Sequence, residues 1–205
     1  MMPLISSTDI QADPQCIATN LVTLSGLAFT IRPLITQDHL ILGTYFLSLS
    51  GLTISLYGPH PFDQPTADRL CAEINYAETI RMIATIPGTA QEQVIAYFIL
   101  QMGVPSAEIE RYAQKKLTLD PQTDCLIAPS VADAYQNQGV GTPIMRHMFD
   151  VARRLGRKRM VLMGGVFVMN ERAVHYYQKL GFRTVGTFVA PWASGRESYD
   201  MFLEL

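Results

Sequence analysis

A short turn with two glycines, residues 136–142 (QNQGVGT), holds the residue types best suited to binding an anion. An apolar run at 125–131 (CLIAPSV) predicts a strand before the turn, and a helical pattern follows Gly141. The first turn of a helix has backbone N–H groups without internal partners, and the helix dipole adds positive potential there. Gly139 and Gly141 lack a Cβ, so an anion can approach closely. The turn predicts a phosphate or pyrophosphate site, although a plain strand-to-helix connection would show the same pattern.

The helix after this turn is amphipathic. Its apolar residues recur at a spacing of three and four, at Ile144, Met145, Met148, Phe149, Ala152 and Leu155. We expect Thr142 as the N-cap, Pro143 as the first helical residue and Gly156 as the residue that ends the helix. The turn is a poor dinucleotide-binding fingerprint, because Ile144 stands where a third glycine would be needed.

A second motif, residues 170–182 (NERAVHYYQKLGF), follows an apolar run at 160–169. The apolar run predicts a buried strand that is interrupted by a bulge at the glycine pair 164–165. Asn170 is expected to cap a short helix and Gly181 to end it. A strand, a capped helix and a glycine stop therefore follow the first motif directly.

A Q-x-x-G-x-G turn that opens a helix, a strand, and the pattern N-x-x-A-V-x-x-Y-x-K-x-G-F closely resemble the two main signatures of the GCN5-related N-acetyltransferase (GNAT) family. The resemblance is strong over residues 125–205 and rests on element order over 28–124. It implies a mixed α+β fold, with a mostly antiparallel central sheet of about six to seven strands flanked by helices. The fourth and fifth strands would splay apart to admit the cofactor.

The rest of the pattern is consistent with one such domain in a chain of 205 residues. We expect residues 1–26 to be an N-terminal extension and 27–205 to be a single GNAT acyltransferase domain. The other predicted strands lie at 28–34, 80–86, 94–102, 184–190 and 199–205, and the other predicted helices at 37–48, 66–75 and 106–117. The last two strands would form a closing hairpin around a turn at 192–195.

The composition argues against several other classes of protein. The net charge of −2 indicates no broad basic face for nucleic acid. Three cysteines and four scattered histidines indicate neither a disulfide framework nor a metal site. No apolar run reaches the length of a membrane helix, and the first basic residue is Arg32, so no secretory signal is indicated. We expect a cytoplasmic protein that binds neither nucleic acid nor a membrane; dimers are frequent in the family, so a homodimer is an open expectation.

The resemblance implies acetyl-CoA as the acyl donor and no metal. The pyrophosphate would contact the turn at 136–142, mainly through backbone N–H groups, and the peptide-like pantetheine arm would pair with the fourth strand as an added strand. The predicted cofactor-binding residues are Ser130, Val131, Gln136, Asn137, Gln138, Gly139, Val140, Gly141, Thr142, Asn170, Ala173 and Tyr177. Pro129 would be costly in a continuous ladder, so it marks either the splayed region or a strand end.

The reaction that the resemblance implies is direct attack of a primary amine on the thioester in a ternary complex. Tyr177 stands at the family's tyrosine position, where it would protonate the departing thiolate as a general acid. The alternative is that Tyr177 packs in the core beside Ala173 and Val174. The backbone N–H of Val131 would stabilise the oxyanion.

The general base is the weakest part of the match. Some relatives use a glutamate on the fourth strand, and this chain has Cys125 at the matching position, with Asp124 beside it. Cys125 is either a nucleophile or a buried packing thiol. Asp124, Glu171, His175 or a chain of water molecules could remove the amine proton, and we rank Asp124 first.

The acceptor is not specified by the sequence. In related enzymes the acceptor side is shaped by segments that correspond here to residues 57–62 and 191–197. Tyr57, Phe62 and Trp192 are candidate pocket residues, and the acceptor would be a small-molecule amine or a protein amino group. Two other functions stay open: a catalytically silent domain that binds acyl-CoA as a sensor or regulator, and a module whose turn binds ATP or a dinucleotide.

Overall fold

One mixed sheet forms the centre of the protein. A computed structural model describes residues 3–89, 91–189 and 195–205. Within these residues the sheet has nine strands: β1 (Thr19–Val22), β2 (Ala28–Pro33), β3 (Thr79–Ile86), β4 (Gln93–Met102), β5 (Asp124–Val131), β6 (Arg159–Leu162), β7 (Val166–Phe167), β8 (Arg183–Val189) and β9 (Glu197–Glu204). The α-helices in the same residues are α1 (Ser7–Ala12), α2 (His39–Ser48), α3 (Gly51–Leu56), α4 (Gln64–Ala72), α5 (Ser106–Ala113), α6 (Gly141–Arg154) and α7 (Glu171–Lys179).

The strand pairing is mostly antiparallel. Strands β1 to β5 pair in sequence order, each antiparallel to the next. Among the described strands, β5 and β6 are the only parallel pair, because α6 carries the chain back across the sheet between them. Strand β9 then pairs antiparallel with β6, β7 and β8. The mixed α+β fold expected from the sequence is confirmed.

The sheet has more strands than expected for two local reasons. Residues 19–22, placed in the N-terminal extension, form β1 and pair with β2. The apolar run at 160–169 is divided into β6 and β7, which both lie along the edge of β9 that β8 does not use. Gly164 and Gly165 between them have φ of 66° and 71°, and a Cβ on Gly165 would lie 2.6 Å from the carbonyl oxygen of Tyr199. The bulge predicted at these glycines is therefore present, and it needs glycine.

Hydrophobic residues cover both faces of the sheet, and β5 shows the alternation. Cys125 and Ile127 contribute to the core on the face covered by α6 and α7. Ala128 packs in the cluster below α2 and α4, and Leu126 in the cluster that includes α5. Successive side chains of a strand point to opposite faces, so β5 belongs to both cores. Among the described residues, no helix is both long and apolar enough to span a bilayer.

Several predicted boundaries need correction. Helix α6 begins at Gly141 with Val140 as its N-cap, so Thr142 is the second helical residue and not the cap. The helix predicted at 66–75 is α4, which begins two residues earlier because Asp63 caps it through the backbone N–H of Thr66. Helix α3 was not predicted. The turn predicted at 192–195 lies mostly outside the described residues.

Candidate active site

A cleft opens in the sheet where β5 and β6 part. The parallel pairing covers Asp124–Ile127 of β5, and the last contact is the bond from the Met163 N–H to the carbonyl of Ile127, at 3.0 Å. Beyond it β5 pairs with β4 alone as far as Val131. A cavity of about 810 Å³ fills the gap, and its lining includes residues of α3, β5, β7 and α7 and the turn before α6. The predicted splay of the two strands is therefore present.

The free edge of β5 directs backbone polar groups into this cleft. The Ala132 N–H donates to the carbonyl of Ile95 on β4 at 2.9 Å, whereas the Ile127 carbonyl faces β6. Because alternate residues of an antiparallel strand direct their N–H and C=O to opposite edges, those of Val131 point away from β4. Pro129 lies on the same edge, and its missing N–H costs no ladder bond there.

Gln136 anchors the turn to this edge. Its side-chain amide donates to the carbonyl of Val131 at 3.0 Å and to the hydroxyl of Thr53 at 3.2 Å. Arg172 of α7 donates to the Gln136 amide oxygen at 2.8 Å. Gln136 thus links β5, α3 and α7 around the mouth of the cleft, and the Val131 N–H remains directed into it.

The turn before α6 has the properties of an anion site. Asn137 and Gly139 have φ of 62° and 80°, which turns the chain sharply into the helix. The four backbone N–H groups expected to hold the pyrophosphate donate to no acceptor within the part of the chain that the structure describes; they belong to Gln138, Gly139, Gly141 and Thr142. They lie at the N-terminus of a 14-residue helix. Unpaired donors and the positive end of the dipole together fit a pyrophosphate.

Helix α7 presents two adjacent tyrosines to the same cleft. Asn170 caps the helix by accepting from the Ala173 N–H at 3.2 Å, as predicted. Tyr177 lines the cavity, and its ring packs edge-on against Phe182 at 5.5 Å between centroids. Burial raises the pKa of Tyr177 well above its ordinary value. The phenol is therefore neutral near pH 7 and can donate a proton.

The side chain of Ser130 does not face the turn. Its hydroxyl is 2.7 Å from the hydroxyl of Tyr45 on α2, and the residue is buried. Ser130 is nevertheless among the residues that line the cleft, and its backbone pairs with β4. Val131 is the residue of this pair whose N–H and C=O groups face the cleft.

Asp124 lies at the wrong end of β5 for a general base. Val131 is seven positions further along the chain, roughly 23 Å along the strand, and Asp124 is not among the residues that line the cleft. Its carboxylate accepts from the Asp120 N–H at 2.8 Å and pairs with Arg159 at 3.2 Å. Burial raises its pKa despite these two partners, which lower it. The geometry makes Asp124 part of the closed end of the sheet.

The other candidates for the general base are also absent from the lining of the cleft. Cys125 is fully buried, its thiol donates to the Arg159 carbonyl at 3.4 Å, and burial raises its pKa to about 12. That environment describes a packing thiol. Glu171 and His175 are exposed on α7, and neither is among the residues that line the cleft.

Glu108 of α5 is a cleft residue that was not predicted from the sequence. Among the described residues that line the cavity it is the only carboxylate. Its side chain is 12% exposed, and its nearest charged partner is Arg111, at 3.6 Å. Arg111 also binds the buried Asp200 at 3.0 Å. The signal in the sequence was its position four residues before Tyr112, a buried residue of the same helix face.

One wall of the cleft is built mainly by α3 and the residues after it. Thr53 to Pro59 line the cavity there, and the hydroxyl of Tyr57 donates to the Ala128 carbonyl at 3.0 Å. Phe62 instead packs against Phe46, with centroids 5.2 Å apart, and does not appear in the lining. Trp192 lies outside the described residues. Of the three aromatic residues proposed for the acceptor side, Tyr57 reaches the cleft.

The comparisons with known proteins agree with this geometry. The Acetyltransferase (GNAT) family model matches residues 60–182, which is more than half of the chain, so the chain belongs to this family. No curated protein matches the sequence. The cofactor of the family is acetyl-CoA, and no group of metal-ligating side chains occurs in the described residues. The chain is an acetyltransferase.

Solved structures show the same fold at low sequence identity. The GNAT domain of S. lividans PAT is 18% identical with a TM-score of 0.71, covering 94% of this chain and 99% of that one. The acetyltransferase yncA of Salmonella typhimurium, solved with acetyl-CoA, is 17% identical with a TM-score of 0.62, covering 86% and 94%. A spermidine N-acetyltransferase SpeG chimera from Vibrio cholerae and hSSAT is 17% identical with a TM-score of 0.63, covering 86% and 95%.

Proposed function

We propose that the protein transfers the acetyl group of acetyl-CoA to a primary amine by direct attack in a ternary complex. The observation that carries the proposal is the open edge of β5. It joins an anion-binding turn, the Val131 N–H and Tyr177 in one cavity of about 810 Å³. A bound acetyl-CoA would supply an activated thioester. The chain's own groups would position it, stabilise the developing negative charge and transfer the protons.

The turn at 136–142 would hold the pyrophosphate through the four backbone N–H groups without partners. The pantetheine arm would lie along the free edge of β5 in the place of a neighbouring strand, and the Val131 N–H would donate a hydrogen bond to it. Asn170 and Ala173 line the same passage from α7. Since the Val131 N–H is directed into the cleft, it would also be the donor available to the oxyanion when the amine attacks.

Tyr177 would give its proton to the departing thiolate. Its phenol is neutral at physiological pH, as ordinary tyrosines are, and burial disfavours the phenolate further. The amine would approach from the wall formed by α3 and Tyr57. Glu108 would take a proton from the ammonium, directly or through water, so that the free amine can attack the thioester, because it is the carboxylate on the described lining.

The sensor alternative predicts acetyl-CoA binding without turnover. The exposure of Tyr177 to the cavity and the presence of a carboxylate in the lining favour the enzyme. The nucleotide-binding alternative leaves the paired tyrosines of α7 and the free strand edge without a role. Both small-molecule amines and protein amino groups fit the proposal, and the spermidine enzyme among the structural neighbours places polyamines on the panel to be tested.

The first experiment is thermal unfolding with acetyl-CoA, CoA, ATP and NAD at equal concentrations. A ligand that binds only the folded chain stabilises it by about 2.7 kcal/mol at a hundredfold excess over its Kd. We expect both CoA species to raise Tm and the other two to leave it unchanged. Thioester consumption with a panel of polyamines, amino acids and peptides then distinguishes enzyme from sensor; no consumption with any amine would favour the sensor.

A further inference from the structure

The hydroxyl of Tyr176 is buried without a hydrogen-bond partner among the described residues. Neither the sequence motif nor the reaction uses this residue, which precedes the tyrosine placed at the thioester. A buried hydroxyl without a hydrogen-bond partner destabilises the folded protein. Such a group in a cleft wall indicates that its partner arrives with a ligand.

The position of this hydroxyl identifies where that ligand would bind. Tyr176 lines the cleft, and a Cβ built on Gly141 would lie 3.1 Å from its hydroxyl oxygen. Gly141 is the first residue of α6 and carries one of the unpaired N–H groups of the turn. The phenol therefore approaches the helix N-terminus from α7, at the point where the dipole most favours an anion.

Burial also keeps the hydroxyl of Tyr176 protonated. It raises the pKa of Tyr176 well above the ordinary value, with the neighbouring Tyr177 adding to the shift. The neutral phenol is a donor, which suits a phosphate oxygen, an acceptor that carries negative charge. The hydroxyl is closed to water, so contact with a ligand needs a small separation of α7 from the first turn of α6.

We propose that Tyr176 is a pyrophosphate-binding residue that donates its hydroxyl hydrogen bond to the acyl-CoA cofactor beside Gly141. The proposal rests on the proposed function, because it needs CoA to occupy the turn. It gives the two adjacent tyrosines of α7 different roles: Tyr176 contributes to cofactor affinity, and Tyr177 to turnover. It also explains glycine at 141, since a side chain there would displace the hydroxyl.

The test is calorimetric binding of acetyl-CoA to the wild type and to Tyr176→Phe. A hydrogen bond to a charged group corresponds to about a tenfold or larger change in Kd, so we expect that loss in the variant. The Tm of the unliganded variant should be equal or higher, because a buried hydroxyl without a partner is removed. An unchanged Kd would overturn the proposal, and so would an unliganded Tm that falls, which would indicate a structural role.

Two further measurements locate the contact. The fragment 3′-phospho-ADP carries the pyrophosphate without the pantetheine arm, and Tyr176→Phe should weaken its binding as much as that of acetyl-CoA; an effect on acetyl-CoA alone would place the contact on the arm and overturn the proposal. Gly141→Ala should weaken binding in the wild type and have little further effect in Tyr176→Phe. Full additivity would contradict the shared contact. A wild type that binds no CoA species would instead remove the proposed function itself.

Discussion

The two ends of β5 use the same strand edge in opposite ways. At the Asp124 end the edge is paired with β6, and the carboxylate is bound by Arg159 and a backbone N–H. At the Val131 end no strand of the described residues covers the edge, and the cleft lies against it. Polar groups at the closed end hold the sheet together, whereas those at the open end are available to ligands. Side-chain chemistry alone therefore does not select a candidate site residue; its position relative to the unpaired edge is also needed.

Tyr177→Phe gives the largest expected effect at the open end. Loss of a general acid lowers turnover by about 100-fold or more, while the acetyl-CoA Kd should change less than twofold. Steady-state kinetics with the best amine of the panel, together with calorimetry, measure both quantities. Equal losses of turnover and affinity would mean that Tyr177 supports the cleft structurally, and the distinction between the two tyrosines would disappear.

Gly139→Val tests the anion site in the turn. Gly139 has φ of 80°, and its neighbouring N–H groups lack partners. Strain and the added side chain should disturb several charge-assisted bonds, raising the acetyl-CoA Kd by about tenfold or more.

Gly156→Val is the matched control for that change. Gly156 has φ of 72° with open space around its Cβ position, and it follows the other end of α6. The control should be destabilised similarly yet bind acetyl-CoA normally. Equal affinities in the two variants would remove the pyrophosphate assignment.

Glu108→Gln should lower kcat/KM for the amine by about tenfold, because a neutral amide neither attracts an ammonium nor accepts its proton. The KM for acetyl-CoA should stay constant, since Glu108 is on α5 and the turn is on the other side of β5. Glu110→Gln, on the exposed face of the same helix, is the control and should behave as the wild type. Equal kinetics for the two variants would mean that water, and not Glu108, accepts the proton of the amine.

Much of the open end could be predicted from local sequence. Gly139, Gly156 and Gly181 each need a left-handed backbone at a helix boundary, and such requirements depend on neighbours in the chain. The bulge at Gly164 and Gly165 could be predicted for the same reason, because the two adjacent glycines mark it in the sequence. Together with the tyrosine of the second motif, these features located one side of the cleft.

The acceptor side could not be predicted in the same way. Glu108 reaches the cleft because α5 packs beside β9, about 90 residues later in the chain, through Arg111 and Asp200. Asp124 was ranked first because it is a carboxylate next to the position where some relatives have a glutamate. It lies at the end of β5 that is far from the opening of the cleft. Contacts between distant segments place Glu108 at the cleft, whereas its spacing from Tyr112 indicates only that the two residues share a helix face.

Asp124→Asn has the smallest expected effect and tests the closed end directly. Turnover should stay within about twofold of the wild type, because the residue is roughly 23 Å from Val131 along the strand.

The stability of the folded protein should depend on pH through Asp124 instead. Burial raises the pKa of Asp124 above its ordinary value of 3.8, so its protonated form favours the folded state. That contribution is fully present below pH 3.8 and is lost as pH rises through the raised value. Asparagine does not titrate, so the stability of the wild type relative to the variant should fall as pH increases. Urea unfolding of both proteins from about pH 3.5 to pH 7 measures the difference. The opposite slope would show that the Arg159 pair outweighs burial, and a large loss of turnover would return Asp124 to the reaction.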